Sequence, residues 1–307
     1  MKKVLKWIGL VLGGLIALVL LLALGLYTKA RLEFTKKYDV PVESISIPTD
    51  AASLQRGQHL ATILCMECHS PDLGGKPDFF EGGPLGSAAS PNLTSGNSGR
   101  TAPLTTEDFV RALRHGVKPD GTSVFLMPAQ DFYHIGDADL GALIAYLQSV
   151  PAVDRQTPEP HVRFAFVGNV MYGAGVFGHL LRAGTIDQAH RPSAPPPAAV
   201  TSDYGAYLVQ INGCHDCHGA SMAGGKPGDP GSPLAPNLTP FGELSAWSQD
   251  QFISTLRTGV TPAGKQLPDR FMPWKSKGQM TDDELKAVWA YLTSLPPLPS
   301  STAPSEP

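Results

Sequence analysis

The sequences Cys65-Met66-Glu67-Cys68-His69 and Cys214-His215-Asp216-Cys217-His218 follow one pattern, in which two residues separate a pair of cysteines and a histidine comes next. Together they contain all four cysteines of the 307-residue chain. A pattern that occurs twice and uses every cysteine indicates one chemical role performed at two places.

The spacing Cys-x-x-Cys-His is typical of covalent attachment of a c-type haem. The two thiols add to the vinyl groups of the haem, and the histidine is placed under the iron as its proximal ligand. We therefore expect two covalently bound haem c groups. The attachment residues would be Cys65 and Cys68 for one haem and Cys214 and Cys217 for the other, with His69 and His218 as iron ligands.

The same cysteines have two simpler interpretations, a pair of disulfides or half-sites of a zinc site. A zinc site of this kind needs two further ligands, and no His-x₃₋₅-His pair follows either motif. A histidine stands directly after the second cysteine both times, so haem is favoured over zinc and over disulfides.

The motif is one part of a longer internal repeat, most of it at an offset of 145 residues. The matching stretches are Leu73-Gly74-Gly75-Lys76-Pro77 with Ala223-Gly224-Gly225-Lys226-Pro227, Pro91-Asn92-Leu93-Thr94 with Pro236-Asn237-Leu238-Thr239, Met127-Pro128 with Met272-Pro273, and 145–151 with 290–296. The chain therefore contains two homologous domains, each with one motif.

Each copy has the pattern of a small helical domain. A first helix is predicted to lead into the motif, over about 52–65 and 203–214. A Gly/Pro-rich loop follows, and then a helix with apolar residues at helical spacing, as at Phe109 and Leu113. The last helix begins with acidic residues near 137 and 281 and ends at Pro151 or Pro296. Little of the pattern is typical of strands.

On these features the chain resembles class I cytochromes c over nearly all of both domains. The matching residues are the Cys-x-x-Cys-His motifs, Pro-Asn-Leu after the haem loop, the Met-Pro loop and the last helix with Leu143-Ile144-Ala145-Tyr146-Leu147. The resemblance implies an all-α fold of two tandem cytochrome c domains. It also implies that the carbonyl groups of Pro91 and Pro236 accept the Nδ1 protons of His69 and His218, a bond that orients the ring.

Methionine is the expected sixth iron ligand. Met127 is the one methionine between His69 and the end of the first domain. The second domain offers Met222, Met272 and Met280, of which only Met272 has the following proline and the matching position. A lone methionine is usually a core residue, but the repeat favours Met127 and Met272 as ligands, and His/Met ligation raises the potential of a haem.

The N-terminus carries a candidate membrane anchor. Lysines 2, 3 and 6 precede an uncharged apolar run of 21 residues, Trp7 to Tyr27, long enough to cross a bilayer. Cleavage after Gly25 is an alternative, but the length favours an uncleaved anchor. Basic residues flank both ends, so charge alone does not orient the helix. Attachment of c-type haem outside the bacterial cytoplasmic membrane, which the resemblance implies, places both domains in the periplasm.

A second apolar stretch, 164–181, contains Asn169, His179 and four glycines. As a second span it would place the two haem domains on opposite sides of the membrane, so it is expected to pack on the domains, a partner or the membrane surface. The predicted division is an anchor at 1–28, a juxtamembrane segment at 29–49, domains at 50–155 and 201–298, a linker at 156–200 and a disordered tail at 299–307.

Charge is unevenly distributed. The net charge is −3, and residues 50–155 hold 7 basic and 12 acidic side chains against 7 and 9 in residues 200–295. An acidic first domain suits docking of a basic partner, although a solvated charged face explains it equally well. No nucleic-acid partner is expected.

The pattern favours electron transfer over catalysis, and no catalytic residue is assigned. The resemblance extends to cytochrome subunits of membrane-bound alcohol and aldehyde dehydrogenases, which usually have three haem domains. It implies a periplasmic dehydrogenase as donor and the quinone pool, an oxidase or another cytochrome as acceptor. Two alternatives are a dihaem enzyme, such as a peroxidase or thiosulfate dehydrogenase, and a fixed subunit of a terminal oxidase. The first needs an open iron or an unusual ligand, whereas both domains offer a methionine and no cysteine is spare.

Overall fold

The structure, a computed structural model, describes residues 2–98, 103–159, 161–178, 180–189, 194–228 and 231–305. Its helices are α1 Lys2–Thr35, α2 Ala51–Leu64, α3 Met66–His69, α4 Thr106–His115, α5 Ala129–Phe132, α6 Asp137–Ser149, α7 Phe166–Gly173, α8 Ser202–Ile211, α9 His215–His218, α10 Gln249–Thr258, α11 Trp274–Lys277 and α12 Asp282–Ser294. The strands are β1 Lys76–Glu81, β2 Gly86–Ser90 and β3 Val162–Phe164. Helices α2–α6 form domain 1 and α8–α12 form domain 2.

The first and last helices of each domain cross at a glycine. A Cβ atom on Gly57 of α2 would lie 1.9 Å from the carbonyl oxygen of Ala142 in α6, and one on Gly205 of α8 would lie 2.0 Å from that of Ala287 in α12. Only glycine allows the backbones to approach so closely. This crossing fixes the direction in which the first helix delivers the haem motif, and it is the same in both domains.

Side-chain caps set the start of the equivalent helices α4 and α10. Thr105 and Asp108 form a reciprocal capping box at α4, and Ser248 and Gln251 form the same box at α10. Each satisfies two backbone N–H groups that the first helical turn leaves without partners. The helices predicted from apolar spacing and acidic first turns are therefore present in both copies.

Domain 1 contains a small antiparallel sheet that the sequence pattern does not predict. Its strand order is β1-β2-β3. Ser87 of β2 pairs with Arg163 of β3, which belongs to the linker. The sheet therefore attaches the linker to the loop after the first haem motif. The linker is part of domain 1's structure rather than a free tether.

The C-terminal tail differs from the sequence prediction. Disorder was expected from residue 299, but Lys226 N–H donates to the carbonyl of Ala303 (2.8 Å), and Ser305 N–H donates to that of Lys226 (2.9 Å). The tail up to residue 305 runs along the loop after the second haem motif. Its composition of proline, serine and alanine resembles a disordered segment, but the loop offers unpaired backbone groups for it to bind.

The long helix α1 stands apart from both domains over most of its length. It has 34 residues, is apolar and long enough to cross a membrane, and its apolar part is exposed. The last turns of α1 contact α7 of the linker.

Candidate haem sites

Each haem motif lies at the junction of a long and a short helix. Cys65 follows α2 as its C-cap residue, and the rest of the motif forms α3. In domain 2 the corresponding short helix is α9, which begins after Cys214. The chain then turns sharply at Ser70, with φ of 70°, and at Gly219, with φ of 74°. The turn keeps the histidine side chain inside the domain.

Both histidines point their Nδ1 atoms at a proline carbonyl. The Nδ1 of His69 lies 2.8 Å from the carbonyl oxygen of Pro91, and that of His218 lies 2.9 Å from the oxygen of Pro236. Such a bond fixes the ring and leaves Nε2 as the atom able to bind a metal. This is the arrangement that the cytochrome resemblance implies for these four residues.

The imidazole rings are neutral in this environment. Both histidines are buried, with exposed fractions of 8% for His69 and 6% for His218. Burial lowers the pKa of His69 to about 4, against the opposing hydrogen bond to Pro91, and burial also lowers the pKa of His218. A neutral ring presents the lone pair that an iron ligand needs.

Two asparagines that sequence reasoning did not assign hold the proline loops in place. The side chain of Asn92 accepts hydrogen bonds from the N–H and hydroxyl of Thr94 (2.9 and 2.7 Å) and donates to the carbonyl of Val153 (2.7 Å). Asn237 makes the corresponding bonds, with distances of 2.9, 2.7 and 2.7 Å, to Thr239 and Leu298. Both side chains are buried. The repeated Pro-Asn-Leu-Thr stretch was the available signal for these positioning residues.

The two proposed methionine ligands occupy equivalent loops. Met127 and Met272 are half-buried, and each precedes the proline that caps a short helix, α5 or α11. The rival methionines have a different environment. Met222 and Met280 are almost fully buried in the core, at the positions that Leu73 and Ile135 hold in domain 1. Here the structure shifts the sequence alignment of the loop by one residue, because the carbonyls of Leu73 and Met222, not of Leu73 and Ala223, accept the equivalent bonds from the N–H groups of Leu93 and Leu238. Apolar equivalents in the other copy indicate that Met222 and Met280 pack rather than bind iron.

The cysteines fit haem attachment better than the alternatives. No disulfide joins the four cysteines. Among the described residues, no group of three or more His, Cys, Asp and Glu side chains is placed to hold a metal ion. Burial raises the pKa of the Cys65 thiol to about 12 and that of Cys214 to about 11. These sites disfavour the thiolate that zinc requires and suit an uncharged thioether.

The two domains meet through equivalent elements. Helix α5, after the first Met-Pro, contacts α8, and α11, after the second Met-Pro, contacts α2. The third residue of each motif lies at this interface. Ser276 Oγ donates to Oε2 of Glu67 (3.0 Å), and Gln130 Nε2 donates to Oδ2 of Asp216 (3.1 Å). The interface is therefore close to a twofold arrangement, with one haem motif on each side.

Lys277 joins the segments that lead into the two motifs. Its ammonium donates to the carbonyl of Ile63 and to Oδ1 of Asn212, both at 3.1 Å. Each of these residues stands two positions before the first cysteine of its motif. Burial lowers the pKa of Lys277, whereas neighbouring groups such as Glu67 favour its charge. The two attachment motifs therefore come together around one side chain.

A second polar cluster forms the other part of the interface. Arg56 binds both oxygens of Asp139 (2.9 and 2.8 Å) and also Oε1 of Glu284 in domain 2 (2.8 Å). His59 Nε2 lies 2.6 Å from the other Glu284 oxygen, and the Tyr207 hydroxyl donates to Asp139 (2.9 Å). Asp139 and Glu284 are equivalent in the repeat, as are His59 and Tyr207. Each carboxylate thus accepts a bond from the other domain.

The remaining described histidines have structural partners or packing. They are His59 with Glu284, His115 with Glu43 and Gln188, His161 with the carbonyl of Pro158, His215 with that of Gly219, and His134 against the ring of Tyr133. These contacts give each of the five rings a local structural role. His179 and His190 lie outside the described residues.

Comparisons with known proteins identify both halves. Residues 202–296 match the family model "Cytochrome c", and residues 52–147 match "Cytochrome C oxidase, cbb3-type, subunit III". The chain is similar to the cytochrome c subunit of a quinone alcohol dehydrogenase from Gluconacetobacter polyoxogenes, with 28% identity over 82% of this chain and 58% of that protein. It is 27% identical to the fructose dehydrogenase cytochrome subunit of Gluconobacter japonicus, over 83% of this chain and 55% of that protein.

A third relative is closer in length. It is a dihaem cytochrome c-type protein from Cereibacter sphaeroides, 28% identical over 76% of this chain and 82% of that protein. By contrast, the chain spans a little over half the length of the dehydrogenase subunits that it matches. Since both halves match cytochrome c families and each has one attachment motif, the chain is a two-domain cytochrome c with two covalently bound haem c groups, similar to the cytochrome c subunits of quinone alcohol and fructose dehydrogenases.

Proposed function

We propose that this protein is a membrane-anchored electron-transfer subunit that takes electrons from a periplasmic dehydrogenase and passes them to the respiratory chain. The observation that carries the proposal is the similarity to dehydrogenase cytochrome subunits over 82% of the chain, more than either domain alone could provide. Helix α1 would hold the protein in the bacterial cytoplasmic membrane, with both domains on the periplasmic side.

The proposed roles of the residues follow from their positions. Each bound haem would supply a centre for one-electron oxidation and reduction. His69 and His218 would bind iron through Nε2, and Met127 and Met272 would be the second protein ligands. The buried side chains of Asn92 and Asn237 hold the proline loops, whose carbonyls bind the Nδ1 atoms and keep the imidazoles oriented. Such rigid surroundings suit electron transfer, in which the ligands stay in place.

The domain interface supports transfer between the two sites within one chain. Lys277, Glu67 and Asp216 hold the two attachment motifs against each other rather than at opposite ends of the molecule. An electron entering at one domain would therefore cross to the other without a change in domain arrangement. Donor and acceptor would then dock at different domains.

Membranes from cells with and without the gene test this function. Alcohols, aldehydes, sugars and sugar acids are added in turn while haem reduction and oxygen uptake are recorded. At least one substrate should reduce both haems and drive oxygen uptake, the uptake should fall without the gene, and the wild-type gene should restore it. Unchanged uptake for every substrate would contradict the proposed role. Rapid consumption of peroxide or thiosulfate by the purified holoprotein would instead support the dihaem enzyme.

A further inference from the structure

Helix α7 of the linker has one buried face and one uncovered apolar face. The buried face, at helical spacing, consists of Gly168, Asn169, Tyr172 and Gly173. The opposite face consists of Phe166, Val167, Val170, Met171 and, just after the helix, Ala174. The exposed fraction is 55% for Phe166 and 48% for Val167. A helix face that meets solvent is usually polar, so this apolar face suits contact with an apolar neighbour.

Contacts with α1 show where this face lies. A Cβ atom on Gly173 would lie 2.1 Å from the carbonyl oxygen of Leu26, so the two backbones are in direct contact there. The ring of Phe166 stacks on Tyr27 with centroids 5.4 Å apart, and Lys29 Nζ donates to the Gly173 carbonyl (3.1 Å). Contacts of Phe166 and Gly173, at the two ends of α7, therefore fall within residues 26–29 of α1, and the long side chain of Tyr172 reaches on to Phe34. A helix of eight residues is about 12 Å long, so α7 crosses α1 instead of running along it.

The crossing point coincides with the end of the uncharged run of α1, which stops at Tyr27. If α1 spans the bilayer, α7 lies at its boundary with water and close to the plane of the membrane. The other sides of α7 face domain 1. The ring of Phe34, about two turns further along α1, lies 4.8 Å from Tyr172 and 5.5 Å from Phe164, and Phe164 lies 5.6 Å from Phe125 of domain 1.

The uncovered face thus continues the exposed apolar surface of α1. Val176, just beyond α7, is half exposed and extends the same surface. The basic residues Lys29 and Arg31 are exposed in the turn of α1 that follows Tyr27, where Lys29 also pairs with Glu33 (3.9 Å). In a membrane-spanning α1 this turn would meet the lipid phosphates. Apolar side chains below a basic rim are the pattern of a segment that lies in the interface of a bilayer.

We propose that α7 is a second membrane contact, seated in the interface of the phospholipid bilayer beside α1 with Phe166, Val167, Val170 and Met171 toward the acyl chains. This inference rests on the proposed anchoring by α1. Through the sheet formed by β3 and β2, it attaches domain 1 directly to the membrane surface and makes domain 2 the more distant of the two.

Photolabelling of the unmodified protein tests the proposal. The full-length holoprotein is placed in nanodiscs of phosphatidylethanolamine and phosphatidylglycerol with a diazirine that partitions into lipid, and labelled peptides are identified by mass spectrometry. Label is expected in Trp7–Tyr27 and in Phe166–Met171, and none is expected in the control helix α10. Label in α1 without label in α7 would overturn this inference alone. No label in α1 would remove the anchoring itself, and this inference with it.

A depth measurement provides the second test. A nitroxide is attached at Val167→Cys and, as a matched control, at Asp250→Cys on the exposed first turn of α10, with both haems reduced. In nanodiscs, oxygen should relax the label at position 167 more than a water-soluble nickel complex does, and the order should reverse at position 250. Equal access of the nickel complex at both positions would overturn the proposal. Protection from both relaxants at position 167 would mean that protein covers α7, which would overturn it as well.

Discussion

In both domains a serine hydroxyl donates to the carbonyl oxygen of the second cysteine of the haem motif, but the two serines come from different parts of the chain. The carbonyl oxygen of Cys68 accepts a hydrogen bond from the hydroxyl of Ser90 in β2 (2.6 Å), and that of Cys217 accepts one from Ser305 in the tail (2.7 Å). The repeat equivalent of Ser90 is Ala235, which has no hydroxyl group. The internal repeat therefore preserves the bonds of the haem site, and a segment from outside the repeat replaces a bond that one copy lacks.

The same difference, between bonds that both copies share and segments from outside the repeat, is found in the rest of the molecule. The histidine, proline, asparagine and methionine positions are equivalent in both copies, with nearly equal distances. The segments that cover the loops after the two motifs are different, and we call them the covers. The loop of domain 1 pairs with the linker strand β3, and that of domain 2 pairs with the C-terminal tail. The repeated bonds should therefore act on haem properties in the same way in both domains, and the covers should act on local stability.

Removal of the proposed methionine ligands tests the equivalence of the two domains and has the largest expected effect. In Met127→Ala or Met272→Ala, one iron loses its proposed sulfur ligand. Each variant should lose about half of the weak sulfur-to-iron absorption band, and one potential should fall by on the order of 0.1 V, within the roughly 0.8 V that axial ligands control. Absorption spectroscopy and redox titration measure both effects.

Met222→Leu is the control for these variants, because it keeps an apolar side chain at the position of Leu73 and should leave both signals intact. An unchanged spectrum in Met127→Ala or Met272→Ala would contradict that ligand assignment.

Asparagine variants test whether the proline loops are equally important. Asn92→Ala removes the acceptor of the buried Thr94 N–H and hydroxyl and one of the two donors to the carbonyl of Val153, so we expect a loss of about 2 kcal/mol of unfolding free energy. Asn237→Ala should lose a similar amount in domain 2. Denaturant unfolding of the holoprotein, followed at the haem bands, measures this. Asn92→Asp keeps both acceptor bonds but sets a carboxylate oxygen against the carbonyl of Val153, so it should be destabilised at neutral pH and should recover part of the loss, relative to the wild type, where acid protonates the new carboxyl and restores a donor. A loss that does not change with pH would show that the contact with Val153 contributes little.

Acid should weaken the interface between the domains through Glu284. Burial raises the pKa of its carboxyl, but the hydrogen bond and charge of His59, the N–H of Thr281 and Arg56 outweigh burial and lower the pKa to about 2. A lowered carboxyl pKa stabilises the folded state above the unfolded value of about 4.5, and this stability disappears as the pH falls toward 2. The expected contribution is a few kcal/mol, since Glu284 is well buried.

The variant Glu284→Gln isolates this contribution. It should be less stable than the wild type at pH 6, and the difference should shrink between pH 4.5 and 2, as measured by thermal unfolding at a series of pH values. A difference that stays constant with pH would show that the charge of Glu284 does not stabilise the interface. Arg56 and Asp139 remain in place as the rest of the cluster.

Local sequence patterns predict the two repeated domains well, but they predict the covers, the linker strand and the C-terminal tail, poorly. The motif, the repeat and the acidic helix starts locate the helices, and the structure places each predicted histidine beside its expected proline. The sequence patterns do not predict the roles of Lys277 and Ser305, because their partners across the fold, such as Asn212 and Cys217, lie 65 and 88 residues away and no local pattern encodes such contacts. The sheet was missed for the same reason, since β3 pairs across more than 70 residues with a strand that lacks regular alternation.

Variants of the two serines that donate to the cysteine carbonyls test the two covers, and their expected effects are the smallest. Ser90 is buried and also accepts a bond from the N–H of Lys76 (2.9 Å), so Ser90→Ala leaves two backbone groups unpaired and should cost about 1–2 kcal/mol. Ser305 is half exposed, and water can replace its hydroxyl, so Ser305→Ala should cost about 0.5 kcal/mol. Hydrogen exchange of the neighbouring loops measures both. Equal effects would mean that the tail covers domain 2 as firmly as the sheet covers domain 1, because the hydroxyl of Ser305 would then be as inaccessible to water as that of Ser90.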